Sequence, residues 1–481
     1  SAVFPSGTWQ FQGIQSQVDS AFFLACFLPV LMALYALAPG LRAKNVLLLI
    51  TGFVFYCFGS ISGLVLLAAV SLVNFALGLG VMRARAKRAF AAAAVVIDLL
   101  FLGFFKYLDF LMSSLMPLAG SSWTPLGLAA PIGISFFTFK CISYIIDVYR
   151  APESGTRSFY RFLLYISFFP QLMAGPIERF QSFDSQLTSR TVSAVRAAEG
   201  MRRFITGLAK KLILSAAACR VADAVFALDD ATLDMPLAWL GAAAYTLQIY
   251  FDFSGYSDMA IGAGRMLGFD TAENFNYPYA AASIGGFWRR WHISLSSWFR
   301  DYVYIPLGGN RRGRARAALN KFIVFALCGL WHGAAWTFIL WGVWHGLLSA
   351  VESFVPRGRK SAPLRALGHV WTLLAVCLGF VMFRAASVGE GLRMISAMFG
   401  AFDTTLQSTV AMHTIATAKN VSLMIAGAVL CLPVRKLFCA PSGELRPWCD
   451  YASMAGCVAL LLVCVSALAV GGFAPFIYFQ F

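Results

Sequence analysis

Charge is scarce in this chain, and acidic charge scarcest of all. Only 12% of its 481 residues are Asp, Glu, Lys or Arg, with 22 acids against 38 bases. A soluble domain of ordinary composition carries about a quarter charged residues. With 59% of the residues hydrophobic and a mean hydropathy of +0.72, there is too little polar surface to face water all round. A soluble enzyme or a set of soluble domains is thereby excluded, despite the length. The eleven cysteines include no C-x-x-C pair and no Cys/His metal spacing. Scattered through apolar runs, as Cys57, Cys219, Cys328, Cys457 and Cys464 are, they read as small buried hydrophobes. There is no phosphate-cradling Gly-rich loop, which speaks against nucleotide hydrolysis. Internal repeats, low-complexity linkers and a detachable soluble domain are also missing.

What the chain does have is apolar runs of bilayer-crossing length, about 17–25 residues each. They recur from Ala21 to Val470 and number about eleven, which makes this an all-α polytopic membrane protein. The net charge of +16 is gathered in short clusters between those runs. They are Arg83, Arg85, Lys87 and Arg88; Arg311, Arg312, Arg314 and Arg316; Arg357, Arg359 and Lys360; Arg435 and Lys436. Such clusters mark cytoplasmic loops under the positive-inside rule, rather than a nucleic-acid surface. They also suit acidic lipid headgroups or an anionic small-molecule donor. Residues 1–20 start polar and uncharged, which reads against a removable signal peptide.

Several runs depart from a simple span. Asn45–Met82 is too long for one helix and is expected to fold at Gly59-Ser60-Ile61-Ser62-Gly63. Phe159–Gly175, broken by Pro170, predicts a short re-entrant element whose freed backbone groups are buried in protein. Phe204–Phe226 carries Lys210 and Lys211, which predicts a helix partly at the membrane interface. Ala280–Ile305 contains Arg289, Arg290, His292, Arg300 and Asp301, too much charge for a spanning helix. Trp291, Leu295, Trp298 and Tyr302 repeat there at helical spacing, so an in-plane helix is expected. Ala317–Phe354 predicts a hairpin with both ends on the cytoplasmic side and His332 deep within it.

Chemistry concentrates between Asn274 and Gly346. Three of the five histidines (His292, His332, His345) and seven of the twelve tryptophans fall there. An ionisable side chain within a membrane is a functional candidate by default. In W-H-G-A-A-W-T-F, burial would keep His332 neutral, a state suited to taking a proton from an attacking hydroxyl. A packing histidine bonded to a carbonyl is the competing account, and the local sequence leaves both open. His292 is balanced in the same way between a catalytic role and an interfacial one. His345 favours a structural role, as do His369 and His413. In YFDFSGYSD, Asp252 and Asp258 could be acid/base groups, fix helix ends, or satisfy Arg289 and Arg290, and a structural role is preferred. No metal ligand set is expected.

Six motifs in order resemble the membrane-bound O-acyltransferase family, in its bacterial polysaccharide O-acetyltransferase branch. They are PIGISFFTFKCISYIIDVYR (131–150), FFPQLMAGPIERF (168–180), YFDFSGYSDMAIG (250–262), NFNYPY (274–279), FWRRWHISLSSWFRDYVYIPLGG (287–309) and LWHGAAWTF (330–338). The resemblance implies one integral membrane acyltransferase domain over 1–481, its family core at about 130–346, with helices around a central tunnel. It makes His332 the catalytic histidine and His292 the family's second one. Trp288, Arg289, Arg290, Trp331, Trp336, Asp252 and Asn274 become candidates for substrate binding. Lys140 stands where members often have Gln.

The same resemblance implies a bacterial inner membrane location and acetyl-CoA as the cytoplasmic donor. It further implies an extracytoplasmic polysaccharide acceptor and a periplasmic or extracellular SGNH-type transferase as partner. A related branch takes a D-alanyl group from a carrier-protein thioester, and positive loops would attract that acidic carrier too. Tyr478, in the aromatic tail FAPFIYFQF, is a candidate acyl relay or an interfacial anchor. Two rival classes, a transporter and a secretion scaffold, predict function that survives replacement of the histidines.

Overall fold

The computed structural model describes residues 18–355, 361–434 and 447–470, and among them there are helices and turns but no strands. In chain order the α-helices are α1 (Leu28–Leu37), α2 (Gly40–Cys57), α3 (Ile61–Arg83), α4 (Lys87–Leu102), α5 (Leu108–Leu115), α6 (Ile134–Arg150), α7 (Phe159–Ser167), α8 (Phe169–Leu172), α9 (Phe180–Ser189), α10 (Ala194–Ala209) and α11 (Ala216–Phe226). They continue with α12 (Met235–Met266), α13 (Ile284–Trp288), α14 (Ile293–Phe299), α15 (Gly313–His332), α16 (Trp336–Glu352), α17 (Ala362–Arg384), α18 (Val388–Met398), α19 (Leu406–Ile415), α20 (Ala418–Leu430) and α21 (Pro447–Ala469).

Five stretches are long and apolar enough to cross a bilayer: Gly40–Cys57, Ile61–Arg83, Lys87–Ala119, Ala362–Arg384 and Tyr451–Ala469. Phe23–Leu37 and Ala418–Leu430 are shorter apolar helices. The protein is thus a multi-pass, all-α membrane protein. The other apolar segments of the sequence are shorter, broken or interrupted by charge, so they do not meet the same criterion. The clusters at 357–360 and 435–436 lie outside the described residues.

The described chain forms two compact units, one built from residues up to Phe204 with Met259–Ala272, the other from Ile205–Asp258 with the residues from Glu273 onward. In the first unit the turn at Gly59–Ser60 separates α2 from α3 as expected, and Ser60 Oγ caps α3 by accepting from Gly63 N at 2.9 Å. The broken element follows as α7, a sharp corner at Phe168 and the single turn α8 carrying Pro170. Its loose carbonyl groups are satisfied inside the protein. Lys140 Nζ donates to Tyr165 O at 3.0 Å and to Gln171 Oε1 at 3.1 Å. Gln171 Nε2 in turn donates to Glu178 Oε2 at 2.6 Å, which brings a carboxylate into the same network as the buried ammonium. An amide in place of Lys140 could make the first of these bonds, but only a cation offsets the carboxylate.

In the second unit Lys210 and Lys211 are both paired with carboxylates. They stand in one turn of π-helix between α10 and α11 and pair with α12: Lys210 Nζ with Asp258 Oδ2 at 2.6 Å, Lys211 Nζ with Asp252 Oδ1 at 2.5 Å. Paired charge explains how both lysines sit in so apolar a segment.

The expected hairpin is present as α15 and α16, separated at Gly333–Ala335. Its arms touch backbone to backbone at Gly329 and Gly342, where a Cβ on Gly342 would lie 2.5 Å from Phe325 O and 3.0 Å from Gly329 Cα. Gly342 and Gly346 form the small-xxx-small spacing that permits such an approach.

The in-plane helix expected over Ala280–Ile305 is not one helix. It breaks into α13, a turn at 289–292, α14 and one turn of π-helix at Arg300–Tyr304. The cause lies at His292, whose φ of 44° and ψ of 55° are left-handed and end any right-handed helix. The expected faces survive the break. Trp291, Leu295, Trp298 and Tyr302 are buried, whereas Arg289 and Arg300 are exposed and Arg290 is half-buried.

Candidate active site

The site is assembled within the second unit from α12, the segment 274–292, the hairpin and α17. His332 is the last residue of α15, at the corner of the hairpin, and is 5% exposed. Its ring meets Trp341 edge to face at 5.0 Å, Phe383 at 5.3 Å and its neighbour Trp331 at 5.0 Å. Gly333 follows in extended conformation, and the Phe338 ring occupies the place a Cβ there would need. That phenyl ring, carried by α16, also packs on Phe383 at 4.8 Å.

His292 is 1% exposed and lies edge-on to Phe253 of α12 at 4.6 Å. Its Nδ1 is 3.2 Å from Asn274 Oδ1, while its Nε2 is buried with no hydrogen-bond partner among the described residues. Burial pushes this imidazole down to about 3, which leaves it neutral at physiological pH. Trp331 joins the two histidines, at 5.0 Å from His332 and 6.1 Å from His292. Residues forty apart in sequence thus share one indole.

Of the other candidates, Trp288 belongs to the same cluster, 5.6 Å from Trp341. Its short helix is anchored where Gly285 N donates to Glu352 Oε2 at 2.7 Å. Asn274 is fully buried, donates to Ser257 Oγ of α12 at 3.0 Å, and accepts from Ser294 N and Oγ at 3.2 and 2.9 Å. Asp252 sits on the α12 turn beside Phe253 and is bound to Lys211, a partner the sequence did not suggest. Arg289 and Arg290 are in the turn that leads to His292. Trp336 is 55% exposed, on the outside of the hairpin. Tyr478 lies outside the described residues.

The structure adds one residue to this cluster. His345, one turn beyond Trp341, is fully buried between Trp341 and Trp288, each 5.1 Å away, and neither of its ring nitrogens has a hydrogen-bond partner among the described residues. The second W-H-G triplet, one turn after Trp341, was the available signal. Among the described residues no group of three or more His, Cys, Asp or Glu could hold a metal ion. What the arrangement brings together is three buried imidazoles among aromatic rings, a setting in which a neutral base acts most strongly.

Comparison with known proteins gives a consistent result. The model of the membrane-bound O-acyltransferase family matches residues 133–389, which takes in the five segments holding the site. The chain is 40% identical over 500 residues to the probable alginate O-acetylase of Azotobacter vinelandii, covering 96% of this chain and 99% of that one. It is 46% identical over 391 residues to the probable alginate O-acetylase of Pseudomonas aeruginosa, covering 79% and 74%. With the peptidoglycan O-acetyltransferase of Helicobacter pylori it shares 34% over 421 residues, 79% of each chain.

Proposed function

The chain belongs to the membrane-bound O-acyltransferase family, and on that premise we propose that it moves an acetyl group from cytoplasmic acetyl-CoA towards an extracytoplasmic polysaccharide. The membrane is the bacterial inner membrane, and the group reaches the polysaccharide directly or through an SGNH-type transferase. The likeness to alginate O-acetylases along almost the whole chain supports an acidic polysaccharide as the final acceptor.

The observation that carries this reading is the position of His332, buried at the corner of a membrane hairpin and linked through Trp331 to His292. His332 takes the proton of the acceptor hydroxyl as its oxygen attacks the thioester carbonyl. The C–O bond forms, the C–S bond breaks, and the departing thiolate of coenzyme A recovers that proton. His292 orients substrate, and Arg289 and Arg290 hold the anionic donor. The aromatic walls exclude water, so the thioester meets the hydroxyl rather than hydrolysing.

The test uses purified full-length protein with partner, acceptor and acetyl-labelled acetyl-CoA. Label is expected to leave the donor, and His332→Ala is expected to slow that by about 10²–10⁴-fold, the usual worth of a general base. Label that stays on the donor, or unimpaired transfer by His332→Ala, would refute the assignment. A D-alanyl thioester on an acidic carrier protein, offered in parallel, tests the neighbouring chemistry of the same family.

A further inference from the structure

Among the described residues His292 makes no hydrogen bond or ion pair with a carboxylate. What grips it is Asn274, eighteen residues earlier, and it does so with main chain and side chain together. Ile293 N donates to Asn274 O at 2.9 Å, and Asn276 N donates to Arg290 O at the same distance. These two backbone bonds bracket His292 and hold it in the left-handed conformation that a non-glycine residue seldom adopts. Asn274 Nδ2 is committed to Ser257 Oγ.

The direction of the amide decides the rest. Ser294 N is an obligatory donor in a buried turn, and Asn274 Oδ1 accepts from it at 3.2 Å. The oxygen, not the amide nitrogen, therefore faces this turn. His292 Nδ1 lies 3.2 Å from that same oxygen. Two lone pairs would repel at this separation, so Nδ1 must carry the hydrogen. In a neutral ring the other nitrogen is then bare.

We propose that Asn274 is a positioning residue that locks His292 as its Nδ1–H tautomer and so presents an unprotonated Nε2 to the substrate. The chemical consequence is specific. A bare Nε2 can only accept a hydrogen bond, so the substrate group that His292 orients is an O–H or an N–H. The thioester carbonyl oxygen, and the oxyanion that develops on it, are not its partners; those need donors. O–H and N–H groups occur on the acceptor sugar and in the amide arm of coenzyme A, and the two sources differ in the Michaelis constant they affect. The use of His292 in turnover rests on the acyltransferase reading above, whereas the tautomer does not.

Two measurements keep these apart. In full-length protein labelled with [15N]histidine, with the His292 signals identified by their loss in His292→Gln, long-range nitrogen–proton correlations report the tautomer. The wild type should show Nδ1 protonated and Nε2 bare. Asn274→Asp, which keeps an oxygen in place, should preserve that pattern, and Asn274→Leu should abolish it. Protonated Nε2 in the wild type would overturn the proposal whether or not the leucine variant folds, and so would an unchanged tautomer in folded Asn274→Leu. In the transfer assay, Asn274→Leu should lose about 10²-fold, the scale of a displaced positioning group, and Asn274→Asp should recover part of it. A raised KM for acetyl-CoA assigns the partner to the coenzyme arm, and a raised KM for the acceptor assigns it to the sugar. Loss of label transfer in every protein, wild type included, with the tautomer as stated, would sink the acyltransferase reading alone.

Discussion

At the scale of single residues, some buried polar groups have a hydrogen-bond partner and others have none among the described residues. Lys140 is of the first kind. It bonds the Tyr165 carbonyl left over where α7 ends and reaches Glu178 through Gln171. Lys140→Gln should be the milder change, because an amide can still serve that carbonyl although it leaves the carboxylate without a cation. Lys140→Met should lower stability by about 1–3 kcal/mol, since it leaves the Tyr165 carbonyl and Gln171 Oε1 without their donor as well. Thermal unfolding of the two variants in the same detergent checks this, and equal losses would refute it. His292 Nε2 and both nitrogens of His345 have no hydrogen-bond partner among the described residues. Their burial was foreseeable from the Trp-rich sequence; their bonding was not. No local spacing connects Asn274 with His292, because the contact depends on how the chain returns across α12.

At the scale of elements, what the sequence made legible depended on whether the cause of a break was local. The hairpin could be read directly, since a largely apolar run of 38 residues between basic clusters exceeds one crossing, and Gly333 marks its corner. The split of Ala280–Ile305 could not. Its helical periodicity is real and its buried face is as expected, yet the backbone bonds to Asn274 and Asn276 impose a left-handed residue in the middle. The close contact inside the hairpin was visible as G-x-x-x-G at Gly342 and Gly346, had small residues been sought among the tryptophans. Gly342→Leu must push α16 from α15, and with it Trp341 from its place beside His332 and His345 from its place beside Trp288. Such overpacking costs about 1–3 kcal/mol of stability. Acyl transfer should fall by about 10²-fold, because the misplacement lies at the ring proposed as the base. An intact transfer rate in folded Gly342→Leu would show that the hairpin contact does not position the site.

At the scale of the molecule, composition makes this a membrane protein and the motifs agree with the family, while the proposed reaction rests on one buried ring. Scarce acidic charge and clustered bases give a chain that needs lipid, and in the proposed reaction the basic side attracts the anionic donor. In that proposal the aromatic surroundings of His332 align thioester and hydroxyl and exclude water. The most direct test is an experimentally determined structure of the full-length protein with a non-transferable acetyl-CoA analogue. The account predicts the thioester carbonyl carbon within about 6 Å of the His332 imidazole, room for one hydrogen-bonded hydroxyl between them. An analogue held elsewhere, with His332 enclosed by Trp331, Trp341 and Phe383 and out of its reach, would contradict it.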